Sequence, residues 1–168
     1  MKNQKAFSLI ELLATLVVAG ILATVALPNL RNLVIQHKIM TKTNELVKAI
    51  NLARLESISH PSVPALIIPN PDWSSGCRMG KDNNFDQQLD DKEVIKIFNF
   101  GNDQINITPT ALPADFKVEY ISGGRIRLPM TNFIEFTICN QDPNQSPSGN
   151  KVTIFATGRV SSETISCL

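Results

Sequence analysis

The feature that most constrains this chain is an apolar run near its N-terminus, residues 7–27, which ends at Pro28. The run is as long as the roughly 20 apolar residues that a membrane-spanning helix needs. It contains a single charged side chain, that of Glu11. A carboxylate in such a helix costs about 3 kcal/mol on membrane-insertion scales, and intramembrane charges commonly mark functional sites. The run therefore predicts a helix that leaves the lipid to pack against other helices.

Three kinds of N-terminal segment were weighed for this run. A secretory signal peptide has an apolar core of only about 7–15 residues and a small-x-small cleavage site, which Thr24-Val25-Ala26 matches poorly. A plain membrane anchor fits the length but leaves Glu11 unexplained. The stretch Ala6-Phe7-Ser8-Leu9-Ile10-Glu11 resembles the class III signal of type IV prepilins and pseudopilins. This third interpretation accounts for the carboxylate and for the small residue before Phe7.

The resemblance implies a set of processing steps. A prepilin peptidase would remove residues 1–6 by cutting between Ala6 and Phe7, and the new N-terminal Phe7 would be N-methylated. The family usually has Gly at the position of Ala6, and Ala is the nearest substitute in size. The freed amine of Phe7 lies about one helical turn from Glu11. In an assembled filament, the Glu11 carboxylate of one subunit would neutralise the amine of a neighbour, since an unpaired buried charge is costly.

The leader also predicts orientation. Lys2 and Lys5 precede the apolar run, and the positive-inside rule places that end in the cytoplasm. We expect a single-pass protein of the inner membrane with a periplasmic C-terminal domain. The resemblance implies that it moves into a pilus or pseudopilus on assembly.

Residues 28–60 are predicted to continue the helix as an amphipathic segment. No Gly or Pro interrupts residues 29–59, Pro28 would kink or loosen one turn, and Pro61 would end the helix. Apolar residues recur at helical spacing, namely at Ile39, Leu46, Val47, Ile50, Ala53 and Ile58. The charged residues between them are expected to stay largely solvated: Lys38, Lys42, Lys48, Arg54 and Glu56.

Residues 61–168 are predicted to form a β-rich head. Short strands separated by turn residues indicate an antiparallel sheet or sandwich: Val63–Ile68, Val94–Phe100, Phe116–Ile121, Arg125–Leu128, Phe133–Cys139, Lys151–Ala156 and Arg159–Ile165. Gly123-Gly124 is a candidate hairpin turn, and Asp72–Asp91 and Asn140–Asn150 are candidate polar loops. The predicted fold class is α+β: a long N-terminal helix, with a transmembrane half and an amphipathic half, packed on this head.

The later motifs narrow the resemblance to FimT/FimU-type minor pilins and H-type minor pseudopilins. They follow the family's order along nearly the whole chain: Ala53-Arg54-Leu55-Glu56-Ser57-Ile58, Trp73-Ser74-Ser75-Gly76, Asp82-Asn83-Asn84 with Asp86, Thr137-Ile138-Cys139-Asn140, and Gly158-Arg159-Val160. The family fold is a long N-terminal helix that carries a small β-rich head.

The sequence contains three cysteines, Cys77, Cys139 and Cys167. In an oxidising compartment one pair is expected to form a disulfide. We favour Cys139–Cys167, which would tie the C-terminus to the sheet and contribute about 3–4 kcal/mol in the chain-entropy model. The resemblance points the same way. Cys77–Cys167 is the main rival, and the leftover cysteine is expected to be inert.

A nucleic-acid site is a further hypothesis. Some FimT proteins bind DNA during transformation through a Gly-Arg-x-Arg motif. The matching stretch here begins with Gly158 and Arg159, but Ser161 replaces the second arginine. Arg125 and Arg127 lie two apart and so share one face of a strand. Since each lost phosphate contact weakens binding, ordinary solvated charges are the preferred interpretation.

No metal, cofactor or catalytic site is expected. Asp82, Asn84 and Asp86 alternate like calcium ligands but lack the glycine and the spaced glutamate of a calcium loop, so a solvated acidic loop is predicted. His37 and His60 stand apart from other metal-ligating residues and are assigned to the surface. There is no nucleophile motif and no phosphate-binding loop.

The leading hypothesis is therefore a non-enzymatic minor pilin that takes part in type IV pilus assembly or priming, as a subunit of the tip or initiation complex. Its expected partners are other major and minor pilins, the prepilin peptidase and the inner membrane. A minor pseudopilin of a type II secretion system is the first alternative, and a DNA-binding minor pilin for natural transformation is the second.

Overall fold

The structure of the chain is a computed structural model that describes residues 9–101, 104–110, 116–127, 132–142 and 148–167. Within these residues, one α-helix, α1, covers Leu9–Ser59 and is followed by nine strands. The strands are β1 (Ala65–Pro69), β2 (Gly76–Lys81), β3 (Val94–Asn99), β4 (Ile105–Pro109), β5 (Val118–Ile121), β6 (Arg125–Ile126), β7 (Phe133–Asn140), β8 (Ser148–Phe155) and β9 (Val160–Ser166).

The helix contributes to two separate compact units, one that reaches Val34 and one that begins at Ile35. In the first unit the large apolar side chains are exposed: Leu9, Ile10, Leu12, Leu13, Leu16, Val17, Val18, Ile21, Leu22, Leu30 and Leu33. Within the residues that the structure describes, no helix meets the length and hydropathy expected of a membrane span.

In the second unit the helix has a buried stripe. Ile39, Leu46, Ala49, Ile50 and Ala53 belong to the core of the head. Burying a Leu or Ile side chain contributes about 1.5–3 kcal/mol, so this stripe holds helix and head together. Helical structure ends at Ser59, since a residue that precedes a proline avoids the α region.

The head contains two antiparallel sheets. Sheet A has the strand order β3-β2-β1-β5-β6, and sheet B has the order β4-β7-β8-β9. The core includes residues of α1 and of both sheets, and the rings of Trp73 and Phe136 meet across it at 4.7 Å. The α+β architecture is as predicted.

The predicted hairpin turn is present between β5 and β6. Tyr120 pairs with Ile126, and a 3-10 turn, Ser122–Gly124, connects the two strands. Gly123 and Gly124 have φ angles of 79° and 72°, a region that side chains with a Cβ disfavour.

Two strands were missed by the sequence analysis. β2 lies within the stretch predicted to be the polar loop Asp72–Asp91, because Gly76 and Gly80 and the polar flanks hide a strand with buried Cys77 and Met79. β4 was also not predicted. The second loop is shorter than predicted, since Asn140 belongs to β7 and Ser148–Asn150 belong to β8. Leu128 lies outside the described residues.

The two sheets meet where the β5–β6 turn contacts the β8–β9 turn. The backbone N–H of Ile126 donates to Ala156 O at 3.2 Å, and the Tyr120 hydroxyl donates to Gly158 O at 3.3 Å. Gly158 has a φ of 75°, and a Cβ there would overlap the carbonyl oxygen of Gly124. The glycine of the Gly158-Arg159 motif is therefore required by the fold.

Candidate functional site

The N-terminal end of α1 carries the first set of predicted site residues. Ala6 and Phe7 lie outside the described residues, so the proposed cleavage and methylation positions stay predictions. Glu11 lies in the first turn of α1 and is exposed among exposed apolar side chains. Helix N-termini favour negative charge, which suits this position for a carboxylate. The helical assignment continues through Pro28, and the predicted kink there stays a prediction.

Lys42 corrects the expectation that the charges of the amphipathic half are solvated. Its side chain is 2% exposed. The ammonium donates hydrogen bonds to the backbone carbonyl oxygens of Ser74 at 3.1 Å, Gly101 at 3.3 Å and Ile105 at 2.9 Å. Buried cations need such partners because desolvation is expensive. Lys42 therefore joins α1 to three separate segments of the head.

Ser74 extends this connection to the edge of sheet B. Its hydroxyl oxygen accepts from the backbone N–H of Ile107 at 2.9 Å and lies 3.4 Å from Ile107 O. Ile107 belongs to β4, the first strand of sheet B. The turn between β1 and β2 is thus bonded to an edge strand of the other sheet. No sequence motif identified this contact, although Trp73-Ser74 is part of the quoted resemblance.

A disulfide joins Cys139 of β7 to Cys167, and their Cα atoms are 6.0 Å apart. To reach β7, the C-terminal segment crosses β8 at Gly149, where a Cβ would lie only 2.7 Å from Cys139 Sγ and 2.5 Å from Ile138 O. A glycine is needed because any side chain would occupy the space of the disulfide. The rival pairing Cys77–Cys167 is absent, since Cys77 is free and buried. Burial raises the pKa of the Cys77 thiol to about 12, which makes the thiol unreactive at neutral pH.

The three arginines of the DNA hypothesis are all exposed. Arg125 follows Gly124, and Arg159 follows Gly158, so the contact between these glycines brings the backbones of the two arginines together. Arg127 is less available, because its Nε pairs with Glu119 Oε2 at 3.1 Å.

A fourth arginine, which the sequence analysis assigned to solvent, lies at the same place. The Cγ atom of Arg54 is beside Gly124, and its Nη2 is 3.5 Å from Thr157 O. The Arg54 Nε is buried without a hydrogen-bond partner in the part of the chain that the structure describes. No sequence signal predicted this contact, although Arg54 is part of the quoted helix-end resemblance.

The acidic loop between β2 and β3 is not simply solvated. Asp82 is 1% exposed and accepts hydrogen bonds from the backbone N–H groups of Asp86 and Gln87. Glu93 is also buried and accepts from the backbone N–H groups of Asn83 and Asp90. These carboxylates shape the loop, which corrects the predicted role of Asp82.

The remaining candidates are isolated. Among the described residues, no group of three or more His, Cys, Asp or Glu side chains is arranged to hold a metal ion. His37 is exposed, and His60 is also exposed with its Nδ1 3.2 Å from Glu56 Oε2.

This chain is similar to known proteins in two respects, its N-terminal motif and its fold. Residues 1–27 match the prokaryotic N-terminal methylation motif. No curated protein matches the chain. The chain is pilin-like in its N-terminal motif. The matched residues include the predicted leader, the apolar run and Glu11.

The fold of this pilin-like chain agrees with its motif. A similar fold is present in the type IV minor pilin FimU of Pseudomonas aeruginosa (strain PAO1), whose crystal structures are known in two crystal forms. The first has a TM-score of 0.56 and 17% identity, and covers 76% of this chain and 90% of the FimU chain. The second has a TM-score of 0.55 and 17% identity, with coverages of 74% and 91%. At this identity the similarity is one of fold.

Proposed function

We propose that this chain is a minor pilin that takes part in type IV pilus assembly or priming as a structural subunit of the tip or initiation complex. The observation that carries the proposal is the combination of an N-terminal methylation motif with a head of the FimU fold on a single helix. From Leu9 to Val34 the helix has many exposed large apolar side chains, as expected of a surface that awaits neighbouring helices.

Processing and location follow from the same proposal. Prepilin peptidase cuts between Ala6 and Phe7, and Phe7 is then N-methylated. Residues 7–27 hold the protein in the inner membrane until assembly, with the head in the periplasm. Mass spectrometry of the mature N-terminus tests this step: a chain that keeps Met1, or that begins elsewhere than Phe7, would contradict it.

The proposed work of the head is structural. Major and minor pilins contact its surface, and the amine of a neighbouring subunit pairs with Glu11. The predicted absence of catalysis belongs to this proposal. Deletion of the gene, followed by complementation with the intact chain, should abolish and restore piliation. Intact piliation in the deletion strain would argue against an assembly role.

The same deletion strain separates the alternatives. A minor pseudopilin would be required for protein secretion by a type II system and dispensable for pili. The sequence motif and the fold are common to both machines, so the assays decide between them.

A DNA contact is a second candidate, supported by the exposed Arg125 and Arg159 on adjoining turns. The ion pair of Arg127 with Glu119 and the serine at position 161 weaken it. A salt-dependent shift assay with duplex DNA tests it. Arg125→Gln and Arg159→Gln should each reduce the affinity and flatten its salt dependence if the arginines touch phosphates.

A further inference from the structure

The two edge strands of sheet B, β4 and β9, differ in whether their outward backbone groups have partners. In β4 the direction of the backbone N–H and C=O groups alternates from one residue to the next. The N–H of Thr110 donates to Glu135 O in β7. Because backbone groups of an antiparallel strand point alternately to either side, those of Ile105, Ile107 and Pro109 point away from β7. The Lys42 ammonium donates to Ile105 O, and the Ser74 hydroxyl oxygen accepts from the N–H of Ile107. Pro109 has no N–H to leave unpaired. This edge is closed by the protein's own side chains.

The opposite edge, β9, is open in the part of the chain that the structure describes. The N–H of Phe155 donates to Arg159 O, and the register then directs the backbone groups of every second β9 residue away from β8. These residues are Val160, Ser162, Thr164 and Ser166. Within the described chain, no strand pairs with them on that side. β9 contains no proline or glycine, and its register with β8 shows no shift.

The other long edge strand lacks this regularity. β3, at the edge of sheet A, has a register shift opposite Met79 and Gly80, and such bulges are one of the ways in which proteins block strand addition. Natural proteins usually shorten, bulge or cover an exposed edge, so an uncovered regular strand of this length indicates a use. Chemically, the groups that satisfy a row of backbone N–H and C=O groups are those of another extended backbone.

A groove lies beside this edge on the side of α1. Ile39, which is buried, forms its floor, and the exposed Met40 lies at its rim together with Gln36. Asn150 and Thr164 line the strand side, and the volume is about 260 Å³. Side chains of a strand that pairs with β9 alternate between the two faces of sheet B, so one set enters this groove. Ile39 and Met40 favour an apolar side chain in this groove.

On the other face of sheet B, charged side chains favour a second type of residue in the added strand. Lys151 Nζ is 2.6 Å from Glu163 Oε1 and 3.5 Å from Glu135 Oε1, so two carboxylates share one ammonium. The side chain of Glu163 lies at the open edge and is 61% exposed. In a strand next to β9, a residue beside Glu163 on this face is a cross-strand neighbour, and opposite charges there are favourable. A lysine or arginine satisfies the surplus carboxylate.

We propose that β9 and the adjoining groove form a docking site for an extended segment of another polypeptide. That segment adds as a fifth strand of sheet B, directs an apolar side chain into the groove beside Met40, and places a basic side chain next to Glu163. This surface goes beyond the proposed role in pilus assembly, because it is formed by sheet B and the amphipathic half of α1 and involves neither Glu11 nor the apolar half of α1.

The test uses the full chain in detergent micelles and two fluorescent nine-residue peptides of alternating Val and Thr. One has a Lys replacing the central Thr, and its twin has a Glu. Fluorescence anisotropy should show saturable binding of the Lys peptide, with affinity about tenfold above that of the Glu peptide. Absence of saturable binding by the Lys peptide would overturn the proposal.

Three variants locate the binding. Ser162→Pro removes an outward N–H without removing a bond to β8, and should lower the affinity for the Lys peptide about tenfold. Ser161→Ala, whose backbone faces β8, is the matched control and should bind as the parent does. Glu163→Lys leaves the backbone unchanged and should reverse the ranking of the two peptides. Thermal unfolding verifies that each variant is folded.

Two results would contradict the assignment. Binding that is unaffected by both Ser162→Pro and Glu163→Lys would place the peptide elsewhere. Concentration-dependent self-association of the chain that Ser162→Pro removes would assign the edge to a second copy instead of a foreign strand. Analytical ultracentrifugation in the same micelles distinguishes that case.

Discussion

The two halves of α1 differ in apolar content and in surroundings. Up to Val34, leucines, isoleucines and valines are exposed on all sides, as Leu16 and Val17 illustrate at 64% and 62%. From Ile35 onward, one stripe of apolar residues is buried, with Leu46 and Ile50 fully so, while Met40, Leu55 and Ile58 stay exposed. The second half already has its packing partner within the chain. Among the described residues, the first half has no buried apolar stripe of this kind.

The charges of the two halves differ in the same way. Lys42 is buried and bonded to carbonyl oxygens of the head, so its desolvation is compensated inside the chain. Glu11 is exposed in the described structure and has its proposed partner in another subunit. The same helix thus carries a buried charge with partners inside the chain and an exposed charge whose partner is proposed to lie in another subunit. Substitutions in the two halves should therefore affect different measurements.

Glu11→Leu is expected to have the largest effect. Removing one partner of a buried ion pair costs about 3–5 kcal/mol, because the remaining amine is left uncompensated. Incorporation into pili should fall by more than about 100-fold, while membrane fractionation and unfolding of the head stay unchanged. Immunoblots of sheared pili and of membranes provide the measurement. Glu45→Leu, which removes a charge paired with Lys48 on the second half, is the control.

Leu46→Ala should lower the free energy of unfolding of the head by about 2–5 kcal/mol, because it leaves a cavity in the core. Leu16→Ala removes the same atoms from the exposed half and should leave unfolding within about 0.5 kcal/mol of the parent. Denaturant unfolding of both variants in micelles makes the measurement. Equal losses would show that the two halves do not differ in the way described.

Lys42→Met should cost about 2–3 kcal/mol, because carbonyl oxygens of the head lose their donor while the helix keeps its apolar packing. Lys38→Met, one turn earlier and exposed, is the matched control and should be nearly neutral. A neutral result at Lys42 would mean that the buried ammonium is dispensable for joining α1 to the head.

Gly149→Ala tests a contact within sheet B and should have the smallest effect, about 1–3 kcal/mol, because the new methyl group overpacks the space beside Cys139 Sγ. The penalty should shrink in the Cys139→Ser/Cys167→Ser background, where the disulfide no longer fixes the crossing. Thermal unfolding of the four chains gives this interaction energy. A penalty of equal size in both backgrounds would assign the clash to Ile138 O alone.

The sequence analysis succeeded where periodicity is strong. The amphipathic stripe, the hairpin turn and β7 follow from patterns of apolar residues and glycines, and the Cys139–Cys167 bond agrees with the favoured pairing. It failed at β2, where two glycines and polar flanks conceal a buried strand.

It also failed where burial is decided by distant segments. Nothing local to Lys42 shows that its hydrogen-bond partners come from Ser74, Gly101 and Ile105, more than 30 residues away in the chain. The open edge at β9 could not be predicted for the same reason. Periodicity predicts a strand, but only the order of strands in the sheet reveals which one lies at the margin.

The crossing at Gly149 has a mechanical consequence. Cys139 and Cys167 are 28 residues apart in sequence, and the bond between them encloses β8 and β9 in a covalent ring. A tensile load applied to β9 is therefore transmitted through sulfur to β7, in the interior of the sheet. Peeling β9 from its C-terminal end requires reduction of the disulfide as well as rupture of hydrogen bonds. A strand at the margin of the head is thereby secured as firmly as one at its centre.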